Sequence, residues 1–231
     1  MVLSIRQSFQ SGFLPALAGS YFSLVDLLAR HESSESDELR DLIQSEISKL
    51  GETGRGAVES INTVRELAKL AGLEALSPPR FPKDYFLWFD AVHQGFLTKL
   101  DLHAPEEVAY RVGRHAGHIL CSINVATMTI HLLSAAPEED ELREELRSFL
   151  VGIREALDDL RISARNPNAP TSLWDLAQSL TDAVDFVNIA RRVFFATEDF
   201  PEKELSPMGQ LLRQKMVDVH RSVLDAAAGL G

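Results

Sequence analysis

Cysteine is nearly absent: Cys121 is the single thiol in 231 residues. A lone cysteine excludes an intrachain disulfide and any cysteine-rich zinc site, and it fits a reducing compartment. Positive charge is scarce as well. Lysine and arginine total 23 against 34 acids, a formal net charge of −11. That balance argues against general binding to nucleic acid or to an anionic membrane, because both depend on cations that neutralise phosphate. The chain has no glycine-rich phosphate loop, no Gly-x-Ser-x-Gly elbow and no Cys-x-x-Cys pair. It also lacks alternating Val/Ile/Thr runs between Asn-Gly or Asp-Gly turns, so no strand is predicted. No fixed-period repeat or low-complexity tract occurs.

What is present is helix punctuation around a real apolar content, 45% of the chain with 25% charged, the balance of a globular protein. A first helix is predicted over about 4–30, with Pro15 as a possible kink. Helices over about 37–50 and 56–76 follow, separated by Gly51-Glu-Thr-Gly54-Arg-Gly56. Ser77-Pro78-Pro79-Arg80-Phe81-Pro82 is a stiff break. An aromatic-rich helix over about 83–100 comes next. Pro105-Glu106-Glu107 and Pro137-Glu138-Glu139-Asp140 each open a helix, with proline in the first turn and acids against the N-terminal dipole. Ser172 with Asp175 resembles a capping box for a helix to about Phe195, and Ser206-Pro207 opens a last helix ending near Gly229. The predicted fold is therefore all-α: an antiparallel bundle of about seven to eight helices around a central buried helix, 105–136. Residues 1–77 are expected to form a helical hairpin region packed on a main bundle, 78–231.

The centre of interest is a run of 22 residues, His115 to Ala136, without one Asp, Glu, Lys or Arg. It is long enough to raise a membrane span. Its His115, His118, Ser122, Asn124, Thr127, Thr129 and His131, and the expected absence of a second comparable run, favour a soluble core helix. Met1 to Leu28 carry only Arg6 and Asp26 as charges, but serines and glutamines interrupt any secretory apolar core. A cytoplasmic location is the expectation.

On a helical wheel, Val108, Val112, Ala116, Ile119, Ile123 and Ile130 form a core stripe. Arg111, Arg114, His115 and His118 share the opposite face, with no carboxylate of the same helix expected there. Two readings follow. The four side chains form a pocket for a small anionic ligand, since arginine supplies bidentate donors and histidine a proton that titrates near neutrality. Alternatively they form a solvated face paired to neighbouring acids. His115 and His118 also stand at i,i+3, as do Asp90 and His93 on the aromatic-rich helix, so Asp90, His93, His115 and His118 are a candidate metal set. Against it, no Glu-x-x-His motif occurs and the arginines repel a cation. The spacing names no cofactor and no catalytic residue.

Other patterns carry less. Arg111 to His118 has the Arg-x6-His spacing of certain helical RNA-cleaving domains, but so do Arg213 and His220, and the polar residue after each arginine is missing. Asp158-Asp159 and Asp182-x-x-Asp185 read as solvated helix faces. Ala109, Gly113, Gly117 and Cys121 recur every four residues. Two glycines inside a helix cost about 1 kcal/mol each, so close approach of another helix is expected along this ridge, with backbone approach to a flat ligand as the alternative. The length and the Phe81-Pro82-Lys-Asp-Tyr85-Phe86 opening resemble translin, yet Gly152 to Gly229 hold no counterpart of its C-terminal signature segments, and no membership is assigned. Function is expected to be non-enzymatic, that of an intracellular interaction or regulatory protein with a protein partner or a homodimer. The alternative is an anion- or metal-binding bundle acting through the Arg111–His118 face.

Overall fold

The computed structural model describes residues 3–181, apart from Ser134, Pro137 and Ser179, together with isolated positions between 214 and 230. The described residues are helical, with no strand among them. The helices are α1 (Ile5–His31), α2 (Asp37–Thr53), α3 (Arg55–Ala71), α4 (Tyr85–Leu97), α5 (Pro105–Leu133) and α6 (Asp140–Ala164), with a short 3-10 turn, Pro82–Asp84, before α4. Helical backbone resumes over 171–178. Most of the rest of that predicted helix, most of the last helix, Asp182, Asp185, Arg213 and His220 lie outside the described residues.

Local chemistry sets the ends. Ser4 caps α1 through the Gln7 amide, and the Gln7 side chain returns to the Ser4 amide, a reciprocal capping box. Ser36 accepts from the Leu39 amide at the start of α2. Between α2 and α3 the helix breaks only at Gly54, which serves as the end of one and the start of the other. α3 stops at Ala71, five residues short of the expected end. Gly72 takes a left-handed φ of 74°, and the Gly72 and Leu73 amides close on the Lys69 and Ala68 carbonyls, a Schellman stop that glycine enters without strain.

α5 is the centre: 19 of its 29 residues are buried. Both of its faces are covered, including the one expected to carry the polar groups, where Thr129 is fully buried and returns its hydroxyl to the Val125 carbonyl at 2.9 Å. α1 lies directly on the small-residue ridge. A Cβ added at Gly117 would stand 2.5 Å from the Phe13 carbonyl oxygen and 2.7 Å from Ala16 Cβ. Gly12 on α1 and Gly113 on α5 are in equally tight contact with the facing backbone. The close approach expected from the glycine ridge is thus made, and α1 is the partner. Phe9 faces Gly113 and Phe13 faces Gly117, so along this contact α1 and α5 run in the same direction. α6 returns antiparallel to α5, bringing Asn166 and Asn168 to His103. α2 and α3 form one interrupted rod running back along α1, shown by Gln44 at Glu32 and Ser60 at the Leu14 carbonyl.

One apolar core joins α1, α2, α5, α6 and 171–178. A second joins α3 and α4 to Ala16 and Tyr110. There Tyr85 stacks on Phe22 at 4.2 Å and donates to the Pro15 carbonyl, 3.0 Å away. The central apolar run has a counterpart after all. Residues 7–25 carry no charge over 19 positions, and α1 and α5 are both long and apolar enough, by length and composition, to cross a membrane. They differ in cover: 72% of the apolar window of α5 is buried against 39% of that of α1.

Candidate functional site

α4 lies antiparallel along the histidine-bearing face of α5, whose Arg111, Arg114, His115 and His118 are half-buried. His118 lies against Phe86 and Phe89, ring centroids 5.2 and 6.4 Å away. Phe86 can reach that far because Gly19 on α1 leaves room for its ring. His93 on α4 sits 3.1 Å from the Tyr110 hydroxyl through Nδ1, and the two rings stack. Arg114 pairs with Asp90, and its guanidinium stands 5.9 Å over the Phe89 ring. Of the six residues picked from the sequence, Asp90, His93, Arg114 and His118 meet at the α4–α5 contact, while Arg111 pairs within α5 and His115 is within reach of Asp159 on α6.

Their charges are already matched within it. Glu107, buried, pairs with Arg111 one turn along α5. This corrects the expectation that no carboxylate of the same helix shares the face: four residues advance the wheel by only about 40°. Arg114 is 17% exposed and held by Asp90 from α4. Burial, then the neighbouring Arg114, lowers the histidine pKa values: His93 and His118 to about 3, His115 to about 4. Asp159 on α6 works in the other direction on His115. All three imidazoles are neutral at pH 7. The cluster is a set of neutral rings between paired arginines, and an incoming anion would meet guanidinium groups that already have carboxylate partners.

As metal ligands the set is too dispersed. Among the described residues, Asp90, His93, His115 and His118 do not bring three donor atoms within 4.8 Å of one another, whereas His31, Glu141 and Glu145 do. Cys121, one turn beyond His118, is fully buried and its thiol is pushed up to about 12 by burial, which leaves it unreactive at neutral pH.

Asp90→Asn tests how much the Arg114 pair matters. It leaves a largely buried guanidinium without its counter-charge, and an expected loss of about 1–2 kcal/mol is measurable by urea unfolding at pH 7. An unchanged midpoint would show that water serves Arg114 equally well.

A different feature was not foreseen from the sequence. Between α1 and the α2–α3 rod runs a groove of about 350 Å³, walled by Leu17, Tyr21, Leu24, Leu50, Ala57 and Thr63, with Leu14 on its rim. Leu14 is 45% exposed. Among the described residues, Glu59 is the one charged residue lining it. The available signal was the second uncharged run, 7–25, whose apolar residues outnumber what one core face can absorb.

Comparison with protein-family models, with curated proteins and with solved structures gives no match for this chain.

Proposed function

We propose that this chain is a non-enzymatic, cytoplasmic helical interaction protein that pairs with a second copy of itself through the α1–α3 face. The observation that carries the reading is the groove with its own projecting side chain. A two-fold contact uses the same patch on both copies, so the patch must be self-complementary. This one holds both halves of such a fit: a hollow walled by Leu17, Leu24 and Leu50, and an exposed apolar projection at Leu14. Among its described lining residues Glu59 alone is charged. A protein of net charge −11 repels its own copies at long range, and a sparsely charged patch is where that repulsion costs least on contact. The under-covered apolar window of α1 supplies the driving force.

Binding of a small anion at Arg111 and Arg114 is the weaker reading, because it requires them to leave Glu107 and Asp90.

Sedimentation velocity across a wide concentration range tests the proposal. The wild-type chain is expected to be a dimer, and Leu14→Glu is expected to make it a monomer with unchanged helicity, since that side chain is 45% exposed. A wild-type monomer at every concentration, or a Leu14→Glu variant that still dimerises, overturns it.

A further inference from the structure

We propose that His31, Glu141 and Glu145 form a binding site for a divalent transition metal, zinc above all, where the end of α1 meets the first turns of α6. The site goes beyond the pairing function and uses none of its residues.

The three residues come together from opposite ends of the described chain. His31 closes α1, and Glu141 and Glu145 stand at i,i+4 on one face of α6. One donor atom from each lies within 4.8 Å of the other two. Zinc bonds nitrogen and oxygen at about 2.0–2.2 Å, so tetrahedral donors stand roughly 3.5 Å apart. Closing the set takes a small inward swing, and Glu141, 66% exposed, is free to make it.

The independent sign of a ligand is His31 itself. It is only 5% exposed, and its Nε2 has no hydrogen-bond partner. That atom faces Glu145 Oε1 at 3.8 Å, too far for a hydrogen bond. Glu145 Oε2 is likewise buried without a partner. A buried imidazole nitrogen without a partner, facing a carboxylate whose second oxygen is also buried without one, is what a cation between the two residues would satisfy.

The surrounding field is suitable. Asp26, Glu141 and Glu145 gather around Arg30, which pairs with Asp26 at 3.0 Å, with Glu141 at 3.6 Å and with Glu145 Oε1. Glu139 accepts from the Ser34 hydroxyl at 3.1 Å. Arg30 is 43% exposed, so it can keep Asp26 and release the two glutamates. The C-terminal end of α1 adds the negative pole of its dipole. The donor set decides the metal: one imidazole with two carboxylates suits zinc and its first-row neighbours, whereas magnesium and calcium prefer oxygen alone. Three protein donors leave a fourth position open to water.

Isothermal titration of zinc into the full chain, stripped with EDTA, tests the site. One saturable equivalent is expected, with magnesium giving none. His31→Asn, Glu145→Gln and Glu141→Gln are each expected to weaken zinc binding at least about tenfold, the scale on which even indirect support of a metal matters. Glu141→Gln changes an exposed side chain and should leave the fold intact, so its loss of affinity speaks for ligation. A triple variant of His93, His115 and His118 to Asn, checked for helicity, is expected to retain the equivalent. No saturable zinc binding, equal affinity for magnesium, or variants at His31, Glu141 and Glu145 that bind as the wild type does would each overturn the proposal.

Discussion

Replacing Gly113 by alanine is expected to destabilise the protein by about 3 kcal/mol or more, a large share of the 5–15 kcal/mol that holds a typical domain. In a chain of this size that corresponds to a fall of roughly 6–12 °C in Tm. A Cβ at this position would stand 3.0 Å from the Phe9 carbonyl carbon and closer still to its oxygen. These are backbone atoms, so no rotamer change can make room. Overpacking normally costs about 1–3 kcal/mol when side chains can yield; here α1 must move off α5. That movement would loosen Gly12 against Arg114 and Gly117 against Phe13, the contacts on either side. Gly152 is the control. It lies inside α6 with nothing within 4 Å of its would-be Cβ, so Gly152→Ala gains only helix propensity and is expected to stabilise by about 0.5–1 kcal/mol. Thermal unfolding of the two variants should move in opposite directions. A Gly113→Ala protein as stable as wild type would mean that the helices do not approach this closely.

That contact also shows where the sequence speaks and where it stops. The ridge Ala109, Gly113, Gly117 and Cys121 announces a close neighbour, since close backbone approach repays two glycines inside a helix. The neighbour's identity is unreadable, because Gly12 and Ala16 lie far back in the chain and a single small pair at that spacing is common in helices that touch nothing closely. Helix starts were legible wherever proline, serine or acids stand at the first turn. The end of α3 was missed because the apolar periodicity continues past Ala71, while the stop is made by one glycine in a left-handed turn at Gly72.

The site was legible in a similar, partial way. Spacing placed Arg111, Arg114, His115 and His118 on one face, and that face does meet Asp90 and His93. Spacing could not show that α4 would cover it, nor that Tyr110 would sit beside His93 and Phe86 beside His118. Covering changes the chemistry: what reads as a titratable cationic face becomes three neutral rings. The His31, Glu141 and Glu145 cluster had no sequence signal, being a meeting of two helix ends far apart in the chain.

Those neutral rings lead to the second large expectation, a steep loss of stability in mild acid. His93, His115 and His118 have folded pKa values of about 3, 4 and 3, against about 6.5 in an unfolded chain. Between these limits the unfolded state binds protons that the folded state refuses, so stability rises with pH and is lost as pH falls from about 6.5 toward 4. The groups facing the rings reinforce this. Arg114 opposes protonation of all three and Arg111 that of His93 and His115, while Asp159 relieves His115 only in part. His118→Leu isolates one contribution. The His118 Nε2 has no hydrogen-bond partner, and its ring stacks on phenylalanine, so leucine loses no bond and keeps the apolar contact. The variant is expected to match wild type near pH 7 and to exceed it by on the order of 2–3 kcal/mol at about pH 4.5. His93→Leu should behave differently, because it strands the Tyr110 hydroxyl and costs stability at neutral pH as well. Urea unfolding across the range from pH 7 to 4 reads both. An identical pH slope in wild type and His118→Leu would mean that this ring is hydrated in the folded protein and that α4 does not seal the face.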